Sequence, residues 1–110
     1  MKGTKAESAA GAPDPLTSVE RDVCIPNALG LHARAAGRFV RLAGNFKSAV
    51  TVDKDGVAVS GLSIMGLLML AAGVGSRLRL QATGPDAEAA MDALAALVES
   101  GFDEGVAGVP

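Results

Sequence analysis

Arg77-Leu78-Arg79-Leu80-Gln81-Ala82 alternates polar and apolar residues without a break. Only a β-strand sends successive side chains to opposite faces, so this run specifies a strand with one face buried and one wet. A sheet built on such a strand must be covered on one side only. Val19, Arg21, Val23 and Ile25, set against Glu20, Asp22 and Cys24, give a second half-buried strand, ended by Pro26-Asn27. Cys24 is expected as a buried structural thiol within it. Ala49–Asp53 and Val57–Ser60 are β-branched runs around Lys54-Asp55-Gly56, which reads as a hairpin.

Between these strands the period changes from two to three or four. Ala36, Phe39, Val40 and Ala43 recur at helical spacing after Gly30-Leu31-His32-Ala33-Arg34-Ala35-Ala36, and Gly44-Asn45 stops them. Gly61-Leu62-Ser63 leads into a short apolar helix over about Ile64–Ala71, stopped by Gly73-Val74-Gly75. Gly84-Pro85-Asp86 opens a last helix, with proline at a plausible first position and acids in the first turn. Its buried stripe is Ala87, Ala90, Met91, Leu94, Leu97 and Val98. The order βαββαβα predicts an α+β fold, a four-stranded antiparallel sheet with three helices packed on one face.

With 110 residues the chain makes one domain of modest core. Residues 1–17 are small, polar and proline-containing and are expected to be a disordered tail; 18–105 form the domain and 106–110 a flexible end. Aromatic content of 3% and a net charge of -2 argue against nucleic-acid binding. The longest apolar stretch, Ile64–Val74, is too short and glycine-broken to span a bilayer, so a cytoplasmic protein is expected. One cysteine and one histidine offer no metal-ligand spacing, and no cofactor is implied.

His32, the single histidine, stands at or beside the N-cap of the first helix. Two readings fit: a polar residue starting a helix, or a nucleophile whose acquired anion would meet the free amides of the first turn. Arg34 lies close enough in sequence to neutralise that charge. Ser63 reads as the N-cap of the second helix, or as a phosphorylation site there. Ile64, Met65, Leu67, Leu68, Met69 and Leu70 exceed what one-sided burial needs, which leaves room for an adaptable partner-binding patch, with Leu67 and Leu70 as core. Arg77 and Arg79 read as solvated face residues.

GLHARAA after a first strand, with SGLSIMGLLMLAA downstream and a final strand–helix pair, resembles the HPr phosphocarriers of the phosphoenolpyruvate-dependent phosphotransferase system. The resemblance runs from Ser18 to about Phe102 and implies an open-faced β-sandwich. It implies that His32 takes the phosphoryl group on Nδ1, that Arg34 stabilises it, and that Ser63 is a regulatory phosphosite of an ATP-dependent HPr kinase/phosphorylase. Ile64, Met65 and Leu68 would form the docking surface. Enzyme I would be the donor and an Enzyme II A-type protein the acceptor, with the carrier itself a monomeric relay rather than a stand-alone catalyst. Ala35 stands where the family often has proline, and Leu62 where lysine often precedes the serine; both departures point toward a regulatory or nitrogen-related branch. Two other classes compete. One is a signalling module controlled by Ser63, with His32 merely capping a helix. The other is an oligomerisation domain using the Met/Leu helix.

Overall fold

The computed structural model describes residues 17–107. The elements are β1 (Ser18–Cys24), α1 (Ala33–Ala43), β2 (Ala49–Lys54), β3 (Val57–Ser60), α2 (Ile64–Met69), β4 (Arg77–Thr83) and α3 (Ala87–Glu99). Residues 1–16 of the expected tail and 108–110 of the expected flexible end lie outside the described residues. Thr17, the last residue of that tail, accepts a hydrogen bond from the Gly84 N–H at 2.9 Å.

The four strands form one sheet in the order β1-β4-β2-β3, every pair antiparallel. The alternation in β4 decides its faces as expected: Leu78, Leu80 and Ala82 are buried, Arg77 and Arg79 exposed. Val23, Val50 and Val52 join them under the helices, with Phe39 from α1, Leu67 from α2 and Met91, Leu94 and Val98 from α3. Each such leucine contributes about 1.5–3 kcal/mol by leaving water. Ala35, Ala36, Ala87, Ala90 and Ala95 are all buried in the same core, so small side chains let the helices approach closely. Among the described residues the other face of the sheet has no covering layer. The architecture is an open-faced β-sandwich.

The β2–β3 hairpin closes through Asp55 and Gly56, with φ of 54° and 86°, the mirror-image turn that matches strand twist. Asp86 occupies the N-cap of α3, and Pro85 lies ahead of the helix rather than at its first position. The Asp86 carboxylate does not cap its own helix. It accepts from Lys47 N–H (2.8 Å), Ser48 N–H (2.9 Å) and Ser48 Oγ–H (2.6 Å), tying the start of β2 to α3. These hydrogen bonds, that from Ser48 first, hold its carboxyl below the ordinary range.

Four local expectations change. Cys24 is exposed rather than buried, because Val23 and Ile25 take the core side and Cys24 pairs with Arg77 on the open face. Arg21 shares the face of Val19 and Val23 yet escapes burial by reaching Asp92 on α3 at 3.0 Å. Leu97 is half-buried, and Ala95 takes a place in the stripe. Helix α2 ends at Met69, with Leu70 as its C-cap and Ala71 in the left-handed region at φ 51°.

Candidate functional site

The site begins with the loop between β1 and α1. Its two ends are pinned to the segment after α2. Ile25 N–H donates to Ser76 O (2.9 Å), Gly75 N–H to Ile25 O (2.7 Å), and Leu31 N–H to Ala72 O (2.9 Å). Gly30 sits at φ +67°, and a Cβ there would lie 2.6 Å from Ala72 O and 2.8 Å from Gly73 Cα. Only glycine fits both the backbone conformation and the close approach. The loop is therefore held rigidly where it delivers His32.

His32 is the N-cap residue of α1, with extended backbone (φ −83°, ψ −179°), but its side chain caps nothing. The first fully helical bond accepts at its carbonyl, from Ala36 N–H at 2.8 Å. The imidazole turns instead toward the C-terminal turn, where Nε2 is hydrogen-bonded to Glu104 Oε2. An ionised carboxylate can only accept, so Nε2 is the donor, and whenever the ring is neutral Nδ1 is the nitrogen with the free lone pair.

Glu104 is placed by a turn that the polar residues alone do not announce. After α3 the chain reverses at Gly101 (φ +73°), where a Cβ would lie 2.1 Å from Gly105 O. Phe102 follows, fully buried, although its own φ of 56° is left-handed. The Phe102 carbonyl accepts from the Arg38 guanidinium, and Ala107 N–H donates to Pro26 O at 2.6 Å. The turn is thus docked on α1 at one end and on the His32 loop at the other. Asn27, itself buried, donates from Nδ2 to Gly30 O (2.9 Å) and to Glu104 Oε1 (3.0 Å). The Asn27 Oδ1 atom is buried without a partner among the described residues. The two acceptors on Nδ2 fix the amide orientation at that cost.

The Glu104 side chain is only 19% exposed, although its backbone runs along the surface. Desolvation pushes its pKa up. The hydrogen bonds from His32 and Asn27, with the charges of His32 and Arg38, outweigh this and hold the carboxyl below the ordinary glutamate range. Beside it lies an open cavity of about 430 Å³, lined by Asn27, Leu29, Arg34, Glu104 and Val106 among others. Arg34, exposed in the first turn of α1, shares that cavity with Glu104. Ala35 is buried in the same turn.

Ser63 caps α2 as its position suggests, its Oγ accepting from Gly66 N–H at 2.9 Å. Among the described residues it shares no hydrogen bond with the His32 cluster. Ile64 and Met65 are exposed, Leu68 is half-buried against the core, and Leu67 and Leu70 are buried. Met69, Leu62 and Leu29 add exposed apolar surface.

Sequence reasoning brings together His32 and Arg34 but misses Asn27 and Glu104. Gly101 and Gly105, four residues apart, are the one signal of a turn that could have directed attention there. Among the described residues no cluster of histidine, cysteine and carboxylate side chains could hold a metal, and no helix is long and apolar enough to cross a membrane.

Residues 19–100 match the family model described as "PTS HPr component phosphorylation site". The phosphocarrier protein HPr of Cupriavidus necator is 52% identical over 79% of this chain and 98% of its own length. The phosphocarrier protein NPr of Shewanella violacea is 46% identical over 81% of this chain and 98% of its own. The crystal structure of HPr-C-His from Thermoanaerobacter tengcongensis superposes with a TM-score of 0.76 at 42% identity, covering 80% of this chain and 99% of that one. The open-faced sheet, the match over most of the chain and identities near one half lead to the same place: this chain belongs to the HPr family, the phosphocarriers of the phosphotransferase system.

Proposed function

We propose that this phosphocarrier accepts its phosphoryl group on His32 Nδ1 from phosphorylated Enzyme I and delivers it to an Enzyme II A-type acceptor. The observation that carries the reading is the position of His32. It stands at the N-cap of α1 with its side chain withdrawn from capping, and Nε2 is already engaged by Glu104. The lone pair of Nδ1 attacks phosphorus, and the bond from phosphorus to the donor breaks with its electron pair leaving on the donor. Onward transfer is the same displacement with His32 as the leaving group. Such chemistry asks mainly for positioning and neutralisation of charge. The amides of the first turn of α1 and the Arg34 guanidinium supply the positive field.

Ser63 serves in this reading as a second, regulatory phosphosite for a serine kinase of the HPr kinase/phosphorylase type. A dianion there would sit at the start of α2, beside exposed Ile64 and Met65. Ile64, Met65 and the exposed edge of Leu68 form the surface on which donor and acceptor dock in turn. The protein acts in the cytoplasm as a monomer that meets its partners transiently, and it needs no cofactor of its own.

The test is incubation with Enzyme I and phosphoenolpyruvate, followed by mass analysis of the intact chain. The wild type gains one acid-labile phosphate and His32→Ala gains none. Equal labelling of both would overturn the assignment.

A further inference from the structure

We infer that Glu104 is a positioning residue for phosphoryl transfer: its carboxylate holds the proton on His32 Nε2 before, during and after the phosphoryl group occupies Nδ1. This rests on the reading of His32 as the phosphoryl acceptor and deepens it. Three observations carry it. The hydrogen bond falls on Nε2 and leaves Nδ1 as the nitrogen with a free lone pair. The second carboxylate oxygen is held at 3.0 Å by Asn27, a buried residue whose amide is oriented by Gly30 O and Glu104 at once. The turn that carries Glu104 is anchored by buried Phe102, by the Arg38 bond to the Phe102 carbonyl and by the Ala107–Pro26 hydrogen bond. A surface carboxylate that met a histidine by chance would need none of these supports.

The chemistry follows from the balance of the step. Nδ1 forms a bond to phosphorus, the donor leaves with its electron pair, and Nε2 keeps its hydrogen, so the ring becomes a cation. Glu104 is the anion already waiting on the far side of that ring, and no proton has to move. When the phosphoryl group departs, the Nδ1–phosphorus pair returns to the ring, and imidazole leaves as a neutral group because Nε2 is still protonated. Loss of that proton before transfer would make the leaving group an imidazolate and arrest the relay. Among the described residues the carboxylate bonded to this ring is Glu104, from the C-terminal turn; Arg38 of α1 acts on that carboxylate and Arg34 of α1 shares its cavity, so the anion that favours a cationic ring is itself held ionised by its surroundings.

The experiment compares wild type and Glu104→Gln, a variant that keeps the shape and an acceptor oxygen but removes the charge. Circular dichroism and thermal melting verify its fold. Both proteins are phosphorylated with Enzyme I and phosphoenolpyruvate, and the His32 ring nitrogens are followed by ¹⁵N NMR as pH rises. In the phosphorylated wild type, Nε2 should retain its proton to a pH about one unit higher than in E104Q, with onward transfer about tenfold faster near neutral pH. Glu104→Asp, too short to reach the ring from the same turn, should resemble E104Q. A wild type that labels on His32, with E104Q identical in both titration and transfer rate, overturns the role of Glu104 alone. A wild type that gains no phosphate on His32 overturns the phosphocarrier reading and this inference together.

Discussion

Helices α1 and α2 both start at a polar residue, and the two starts are finished differently. At α2, Ser63 folds its hydroxyl back onto Gly66 N–H at 2.9 Å, closing its own helix end. At α1, His32 holds the same position but withdraws its side chain to Glu104, so among the described residues no side chain closes the helix end. A cap adds stability by satisfying an amide that has no internal partner. Leaving the α1 start uncapped forgoes that stability and keeps the amides available to an arriving anion. The difference separates a helix start closed by its own hydroxyl from one whose N-cap side chain is engaged elsewhere, the arrangement the proposed phosphoryl acceptor requires.

The largest effect that could break this contrast is at His32. His32→Ala should lose all phosphate uptake from Enzyme I, while its melting temperature falls no further than that of Glu104→Gln, since the Glu104 hydrogen bond is lost but no cap is removed. A fall well beyond that of Glu104→Gln would mean that His32 supports the helix start as well. Next comes Phe102→Ala, which empties a fully buried site under the C-terminal turn. It should cost about 3–5 kcal/mol in chemical denaturation. It should also raise amide exchange around Asn27 and Gly30, which depend on that turn.

Ser63→Ala sharpens the other half of the contrast. Removing a true cap should cost about 1 kcal/mol in denaturant titration and leave labelling of His32 unchanged. A neutral result in stability would show that Ser63 is not closing α2. The smallest effect is in the pH dependence. Hydrogen bonds from His32 and Asn27 outweigh desolvation and place the folded Glu104 pKa below its ordinary value of 4.5. A depressed carboxylate pKa stabilises the fold above the unfolded value and loses that contribution as pH falls through the folded one. Wild type should therefore lose more stability than Glu104→Gln as pH drops below about 4.5. Parallel curves for the two proteins in that range would dissolve the Glu104–His32 connection.

Much of this molecule is legible in its sequence because the signals are local. The alternation Arg77–Ala82 names its own faces, Asp55-Gly56 names its own turn, and Ser63 with the apolar run behind it names its own cap. Cys24 shows where the same logic slips: the strand is read correctly, but the residue is assigned to the wrong side of the pleat. His32 and Arg34 are visible for the same local reason, as neighbours at the opening of one helix. Glu104 stands 72 residues from His32, and no periodicity or motif links them.

Order of elements, the one-sided sheet, the starts of the first two helices and the residues in the His32 segment were thus determined by the sequence on its own, since each depends on spacing within a few residues. The tertiary structure decided which ring nitrogen is engaged, what orients Asn27, and why the His32 side chain does not cap α1. Those outcomes depend on the C-terminal turn packing buried Phe102 into the core and bringing a carboxylate back to the start of α1. Contacts of that range are set by how the core closes, which no short window of residues contains.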